Sequence, residues 1–333
     1  MKIRACGISE LGRVRKNNED NFLMNSFYKD DLDQKKVQKD DNDQRKQYLY
    51  AVCDGMGGEQ YGEQASWLAV KALAEFVSKP FNELIDQYIT QANQAICKFS
   101  AAQGGVHSGT TAAILYLKDN LAHIYNIGDS RIYLWRDNSL KLLTVDHSKA
   151  WQMAEIGILD FETAEKHPSR HILTQHLGLD PAEAVINVHK VPSFPVQKKD
   201  LFLLCSDGLN DMLDQEEIAA ILQKSDSVQT KTQALIQAAL DKGGKDNVTV
   251  ILAEVEDTEG IRPTSVKIVP KRAGRNGKKL SLILGMLVLV LQAGAVSWKL
   301  GWWEQNLVEE PNLSPEPPAY ALELYTETGE AFA

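Results

Sequence analysis

The sequence has few cysteines, no excess of basic residues and no apolar stretch near its start. Its four cysteines form no CxxC pair, which argues against structural zinc and predicts reduced core thiols of a cytosolic domain. A formal net charge of −9 argues against nucleic-acid binding, because the phosphate backbone requires a basic surface. The opening residues MKIRACGISELG lack the apolar core of a secretory signal.

One long apolar run stands near the end of the chain. Residues 280–300 carry no charge before Lys299 and match the roughly 20 residues that a membrane helix needs. Tryptophans at the far end resemble an interfacial belt, basic residues precede the run, and no Lys or Arg follows it. We therefore expect a single-pass helix in the cell inner membrane, with the N-terminal part cytoplasmic and the tail outside. A buried core helix is the less favoured alternative.

The chain divides into four predicted parts. Residues 1–257 are expected to fold as one domain, 258–279 form a basic polar linker, 280–300 span the membrane, and 301–333 form an acidic, Pro-containing external tail. Within the domain, the mixed-charge run 28–48 is predicted to be a solvated loop between two strands.

Periodicity predicts an α+β fold. Apolar residues recur with helical spacing over 63–77 and 81–99, whereas stretches such as QYLYAVCD, LAHIYNIGD and DLFLLCSDG are typical of strands. Short turns such as KDN and RDNS join neighbouring strands, which indicates antiparallel hairpins. We expect antiparallel sheets covered by helices rather than alternating βαβ units.

Several aspartates stand at the ends of predicted strands, most of them beside Gly or Asn. They are Asp20, Asp54, Asp129, Asp207 and Asp246. A single Asp-Gly is usually a plain turn, but five such carboxylates in one antiparallel domain suggest that they converge at one rim. Converging carboxylates repel one another unless cations compensate, and oxygen ligands without histidine favour Mg²⁺ or Mn²⁺.

Such a site suits phosphoryl chemistry. Two ions about 3.5–4 Å apart can bridge a water, lower its pKa and direct it at a phosphoryl group. Arg15, five residues before Asp20, is the candidate cation for the phosphate oxygens, although taken alone it is more simply a surface arginine.

The motifs resemble a known family. GRVRKNNED, CDGMGG, SGTTAAI, NIGDSRIYLW, DHS, LCSDGL and GGKDNVTV follow the order and spacing of the bacterial metal-dependent type 2C (PPM) serine/threonine protein phosphatases. The resemblance covers residues 1 to about 257 and implies an α-β-β-α sandwich of two antiparallel sheets with metals at one edge. Residues 146–178 match the family's flap beside the active site.

The resemblance also implies roles for the metal residues. Asp54 would bridge two Mn²⁺ or Mg²⁺ ions, with the Gly55 carbonyl as a further ligand. Asp207 and Asp246 would complete the second site, and Asp129 with Asp207 would hold a third, weaker ion.

The remaining positions would support the chemistry. Asp20 and Glu19 match the pair near metal-bound waters, Arg15 matches the phosphate-binding arginine, and Asn247 would support the site from behind. The chain departs from many eukaryotic members at Met56, where they carry a histidine proposed as general acid, so the proton donor to the leaving group stays unnamed. His147 is one candidate, but a structural role is favoured.

We therefore expect a membrane-tethered phosphatase that hydrolyses phosphoserine and phosphothreonine in one step by direct attack of a bimetal-activated water. Phosphorylated proteins would be its substrates, a cognate Ser/Thr kinase its counterpart, and no nucleic acid its partner. The alternative is a pseudophosphatase, a regulatory module that binds phosphorylated segments without cleaving them. A pseudophosphatase would be expected to lack a metal ligand, and each position carries its aspartate.

Overall fold

The structure, a computed structural model, describes residues 1–56, 61–182 and 184–258. The strands are, in chain order, β1 (Lys2–Glu10), β2 (Asn21–Met24), β3 (Phe27–Tyr28), β4 (Lys36–Asp41), β5 (Gln47–Cys53), β6 (Gly55–Met56), β7 (Gly109–Thr110), β8 (Ala112–Lys118), β9 (Leu121–Ile127), β10 (Arg131–Arg136), β11 (Ser139–Leu142), β12 (His189–Pro195), β13 (Leu201–Cys205) and β14 (Val248–Asp257). The helices are α1 (Gly62–Ala74), α2 (Phe81–Ala102), α3 (Lys149–Glu155), α4 (Phe161–Lys166), α5 (Asp207–Asn210), α6 (Gln215–Leu222) and α7 (Val228–Asp241), with a 3₁₀ turn at Pro168–His171.

Two six-stranded sheets form the framework. Their orders are β11-β10-β13-β14-β1-β4 and β12-β9-β8-β5-β2-β3, and the short strands β6 and β7 pair separately. The strand pairs are antiparallel. Helices α1 and α2 cover one sheet, and α5, α6 and α7 cover the other. The predicted α+β class, with two antiparallel sheets flanked by helices, is confirmed.

Strand β5 shows how the sequence places the layers. Tyr48, Tyr50 and Val52 point into the core between the sheets, whereas Leu49 and Ala51 pack with the helices α1 and α2. A strand with both faces buried needs a continuous apolar run, and QYLYAVC supplies one. Each fully buried apolar side chain of this size contributes roughly 1.5–3 kcal/mol.

The prediction of a solvated loop over 28–48 was wrong in part. Strand β4 pairs antiparallel with β1 and becomes the edge of its sheet, and Val37 is buried there. The other edge of β1 pairs with β14, with Lys2 opposite Asp257. Pairing with β1 satisfies the backbone groups of a segment whose side chains are mostly polar, so composition alone missed the strand.

The cysteines agree with the prediction of reduced core thiols. All four are free, and Cys6, Cys53 and Cys205 are buried. Burial raises the pKa of Cys205 to about 12, so this thiol stays protonated at neutral pH.

The predicted membrane span lies outside the described residues, as do the tail 301–333 and nearly all of the linker 258–279. Within the described ranges, no helix is both long enough and apolar enough to cross a membrane. Strand β14 ends at Asp257.

Candidate active site

The strand-end aspartates meet at one end of the sandwich. Asp54 follows β5, Asp129 and Asp207 come two residues after β9 and β13, and Asp246 precedes β14 by two residues. Antiparallel pairing brings these strand ends to the same edge. An open cavity of about 360 Å³ lies there, lined by Arg15, Glu19, Asp54, Gly55, Met56, Thr111, Asp129, His171, Leu173, Asp207, Asp211 and Asp246.

The backbone of Asp54 is fixed on both sides. Its N–H donates to Thr111 Oγ1 at 2.9 Å, and its carbonyl accepts from Thr111 N at 2.9 Å and Thr110 Oγ1 at 2.8 Å. The next residue must be glycine, because a Cβ at Gly55 would lie 2.2 Å from the carbonyl oxygen of Gly62. This close approach explains why a buried strand runs into Asp-Gly and not into an ordinary turn.

Asp20 does not line the cavity, but it binds Ser206, the residue before Asp207. Its Oδ2 accepts hydrogen bonds of 2.7 Å from both Ser206 Oγ and Thr249 Oγ1. Its Oδ1 is buried and has no hydrogen-bond partner among the described residues. Burial raises the pKa of Asp20 to about 7 despite the two hydroxyl donors.

The neighbouring carboxylates also resist ionisation. Burial and the charges of adjacent aspartates raise the pKa of Asp54 and of Asp129 well above the usual range. The same two causes raise the pKa of Asp246, with Asp207 as the nearby charge. A set of partly buried carboxylates that offer oxygen ligands, together with the orphaned Oδ1 of buried Asp20, fits a divalent cation such as Mg²⁺ or Mn²⁺, which would compensate the repulsion.

Arg15 contributes the positive charge at the mouth of the cavity. Its Nη2 donates to Asp246 Oδ2 at 2.7 Å, and half of its side chain is exposed. The guanidinium therefore keeps free donors that point to solvent, as a group that receives an anionic ligand requires.

Asn247 ties the Arg15 loop to the site. Its Nδ2 donates to the carbonyls of Leu11 and Asn17, at 2.8 and 2.9 Å, and so brackets the loop on both sides of Arg15. Its Oδ1 accepts from the backbone N–H of Glu19 at 2.8 Å. Glu19 lines the cavity, and burial is the main cause that raises its pKa.

Two potential metal-binding residues of the cavity, His171 and Asp211, were missed at the level of sequence. Ligand atoms of His171, Asp207 and Asp211 lie within 4.8 Å of one another, close enough to share a metal ion. The spacing of Asp207 and Asp211 by four residues was a usable signal, because i and i+4 share one helix face. His171 comes from the flap, and nothing local to its sequence indicates this long-range contact.

The flap is attached through Arg131, the second residue after Asp129. Its guanidinium binds Asp146 through Nε and Nη2, with a shortest contact of 2.7 Å, and lies beside the ring of Trp151 in α3. His147 accepts from Gly128 N at 3.3 Å through Nδ1, and burial lowers its pKa to about 4. This environment favours the structural interpretation of His147 over a proton donor.

Comparison with known proteins agrees with this geometry. The sequence profile of the family described as Protein phosphatase 2C matches residues 29–243. The serine/threonine phosphatase stp of Listeria monocytogenes is 30% identical over 266 residues, which are 77% of this chain and 98% of that protein. The serine/threonine protein phosphatase PstP of Mycobacterium tuberculosis is 32% identical over 260 residues, which are 77% of this chain and 45% of that protein.

Solved structures show the same fold. The crystal structure of the PstP catalytic domain in complex with two manganese ions has a TM-score of 0.62 at 29% identity, covering 77% of this chain and 99% of that one. The structure of Stp1 from Staphylococcus aureus has a TM-score of 0.65 at 28% identity, covering 76% of this chain and 95% of that one.

Proposed function

The chain belongs to the protein phosphatase 2C family as a serine/threonine phosphatase, and we propose that it hydrolyses phosphoserine and phosphothreonine in proteins in one step. The observation that carries this proposal is the set of carboxylates that line the cavity at one sheet edge, with Arg15 beside it. The nucleophile would be a water, without a phosphoenzyme.

Two divalent cations, Mn²⁺ or Mg²⁺, would supply Lewis-acid charge and a water that is nucleophilic at neutral pH. Asp54, Asp207, Asp246 and the Gly55 carbonyl would hold them, with Asp129 available for a third, weaker ion. Thr110 and Thr111 fix the backbone from which the Asp54 carboxylate extends, and they do so without any ion. Asp20, held by Ser206 and Thr249, would accept hydrogen bonds from water at the rear of the site.

Arg15 would bind the phosphate. Its free donors suit the planar, bidentate recognition of phosphoryl oxygens, and the Asp246 contact orients the guanidinium. Asn247 keeps the loop of Arg15 at a fixed distance from the carboxylates through its bonds to Leu11 and Asn17. Orientation of this kind lowers the barrier because the phosphate and the water meet in one geometry.

The test is hydrolysis of a phosphothreonine peptide by the purified full chain, with Mn²⁺ and with EDTA. We expect turnover with Mn²⁺ only, and its loss in Asp207→Asn. Asp119→Asn is the matched control, because Asp119 sits in the β8–β9 turn with φ of 52°, a conformation that Asn also tolerates.

A folded protein that binds Mn²⁺ and phosphopeptide but releases no phosphate would contradict the proposal. That result would identify the phospho-binding module instead.

We also propose that residues 280–300 tether the domain to the inner face of the cell inner membrane. The support is the apolar run itself, the basic residues before it and the acidic tail after it. Tethering would concentrate the enzyme near a membrane-bound cognate Ser/Thr kinase without any new contact. Phosphorylated Ser/Thr proteins at that surface would be the substrates.

Cell fractionation tests the tether. The full chain should sediment with membranes and resist extraction by high salt, and a chain that lacks residues 280–300 should be soluble. A C-terminal tag should be cleaved by protease added outside the inner membrane. Recovery of the full chain in the soluble fraction would contradict this part of the proposal.

A further inference from the structure

Lys29 is a buried lysine in the mixed-charge run 28–48. Only 1% of the residue is exposed. Its Nζ donates to the carbonyl of Asn18 at 2.7 Å. Its backbone is held by Asn21, whose Nδ2 donates to the Lys29 carbonyl at 2.9 Å and whose Oδ1 accepts from Lys29 N at 3.1 Å. The ammonium is therefore fixed inside the fold against Asn18, which precedes Asp20 by two residues.

The surroundings of the ammonium are acidic. Burial lowers the pKa of Lys29 to about 8, and nearby carboxylates oppose that effect; they belong to Asp20, Glu63, Asp31 and Glu19. Two of these groups have buried oxygens without hydrogen-bond partners among the described residues, namely Asp20 Oδ1 and Glu63 Oε2. The hydrogen bond of Lys29 goes to a carbonyl, so its charge acts on these carboxylates through space.

A buried cation beside buried anions has a large effect, because the interior screens charge poorly. Its loss would leave the carboxylates less compensated and more attractive to another cation. Lys29 is buried and bound to Asn18, in the segment that carries Glu19 and Asp20, whereas Arg15 is half exposed and lines the cavity. Of these two cations, Lys29 is the one that is shielded from solvent.

We infer that Lys29 is a resident counter-cation of the carboxylate cluster, a positioning residue that holds the Asn18–Asp20 segment and lowers the affinity of the site for divalent cations. This inference rests on the proposed function, because it presumes that the cluster binds Mn²⁺ or Mg²⁺. A merely structural anchor would have a different consequence. Its removal would loosen the segment and weaken cation binding or leave it unchanged.

The experiment measures Mn²⁺ binding by calorimetry on the metal-free full chain, for the unaltered protein and for Lys29→Met and Lys29→Arg. Lys36→Met is the matched control, because Lys36 lies in the same segment but is exposed and paired with Glu10 at 2.8 Å. We expect Lys29→Met to bind Mn²⁺ at least fivefold more tightly, and Lys29→Arg and Lys36→Met to stay within twofold. The difference should persist at high salt, because a buried charge is screened little.

If Lys29→Met does not fold without metal, refolding is repeated with excess Mn²⁺. Recovery by Mn²⁺, followed by unfolding when EDTA is added, supports the inference, since the ion then replaces the missing charge. Weaker or unchanged Mn²⁺ affinity in folded Lys29→Met overturns it, and so does a failure to recover with Mn²⁺ while Lys29→Arg folds. If the unaltered chain binds no Mn²⁺ at all, the proposed function itself fails.

Discussion

The aspartates at the two ends of the sandwich have opposite electrostatic surroundings. At the far end, Asp200 is 1% exposed and accepts from Arg136 Nε and Nη2 at 2.7 and 2.6 Å, and from Gln197 N at 2.7 Å. At the cavity end, Asp54 and Asp129 are crowded by other carboxylates, and burial raises the pKa of both. Asp200 therefore has a bidentate cationic partner, whereas Asp54 and Asp129 have other carboxylates as neighbours, a repulsion that the proposed divalent cations would relieve.

The largest effect should follow from Asp54→Asn. We expect kcat/KM for a phosphothreonine peptide to fall about 10³-fold, or about 4 kcal/mol of transition-state stabilisation, because a ligand to the proposed ions loses its charge. The same change should raise the melting temperature of the metal-free protein, since it removes a charge that the fold disfavours. Calorimetry in EDTA measures the second effect, and a fall in melting temperature would contradict it.

Asp200→Ala should have the reverse effects: a loss of stability without a loss of activity. Removal of one partner from a buried ion pair is strongly destabilising, and because Arg136 is about a quarter exposed we expect a loss of about 3 kcal/mol in the free energy of unfolding. Mn²⁺ affinity and kcat should stay within twofold at a temperature where the variant is folded. Urea unfolding combined with metal titration measures both. A change in Mn²⁺ affinity would show that the two ends are not independent.

The next prediction concerns Arg15, at the mouth of the cavity. Arg15→Ala should lower kcat/KM about tenfold, or about 1.4 kcal/mol, chiefly through a higher KM, because a charge-assisted contact to phosphate is lost. Arg13→Ala is the control, since Arg13 lies in the same loop but binds the Leu240 carbonyl at 2.9 Å. Steady-state kinetics on both variants decide the point, and equal losses would argue against a phosphate contact.

The smallest effect concerns pH. A raised pKa means that the folded state holds the proton of Asp20, Asp54 or Asp129 more tightly than the unfolded chain, where such groups titrate near 3.9. Stability without metal should therefore fall as pH rises from about 4 through the folded pKa, which for Asp20 is about 7. Thermal melts at pH 5 and pH 8 in EDTA should show the lower value at pH 8. Saturating Mn²⁺ should abolish or reverse that order.

The pattern of strand ends was enough to place most of the candidate site. Asp54, Asp129, Asp207 and Asp246 each end or precede an apolar run, and antiparallel pairing brings such positions together. Their roles as ligands stay predictions until a metal titration tests them.

Other residues could not be found in this way. His171 reaches the cavity through the tertiary fold of the flap, which no local period encodes. Lys29 was missed because of the composition of its segment. It stands in a segment whose composition is typical of a solvated surface, yet the pairing of β4 with β1 and the clamp by Asn21 draw it inside.

The pairing of Lys2 with Asp257 has a practical consequence. Strand β14 spans ten residues from the cavity end, so its last residue lies about 30 Å from the carboxylates at roughly 3.3 Å per residue. A fluorescent reporter or an immobilisation handle joined there would leave the cavity open to large protein substrates. The first strand begins beside the same point, so the domain offers two neighbouring attachment sites for sensor design.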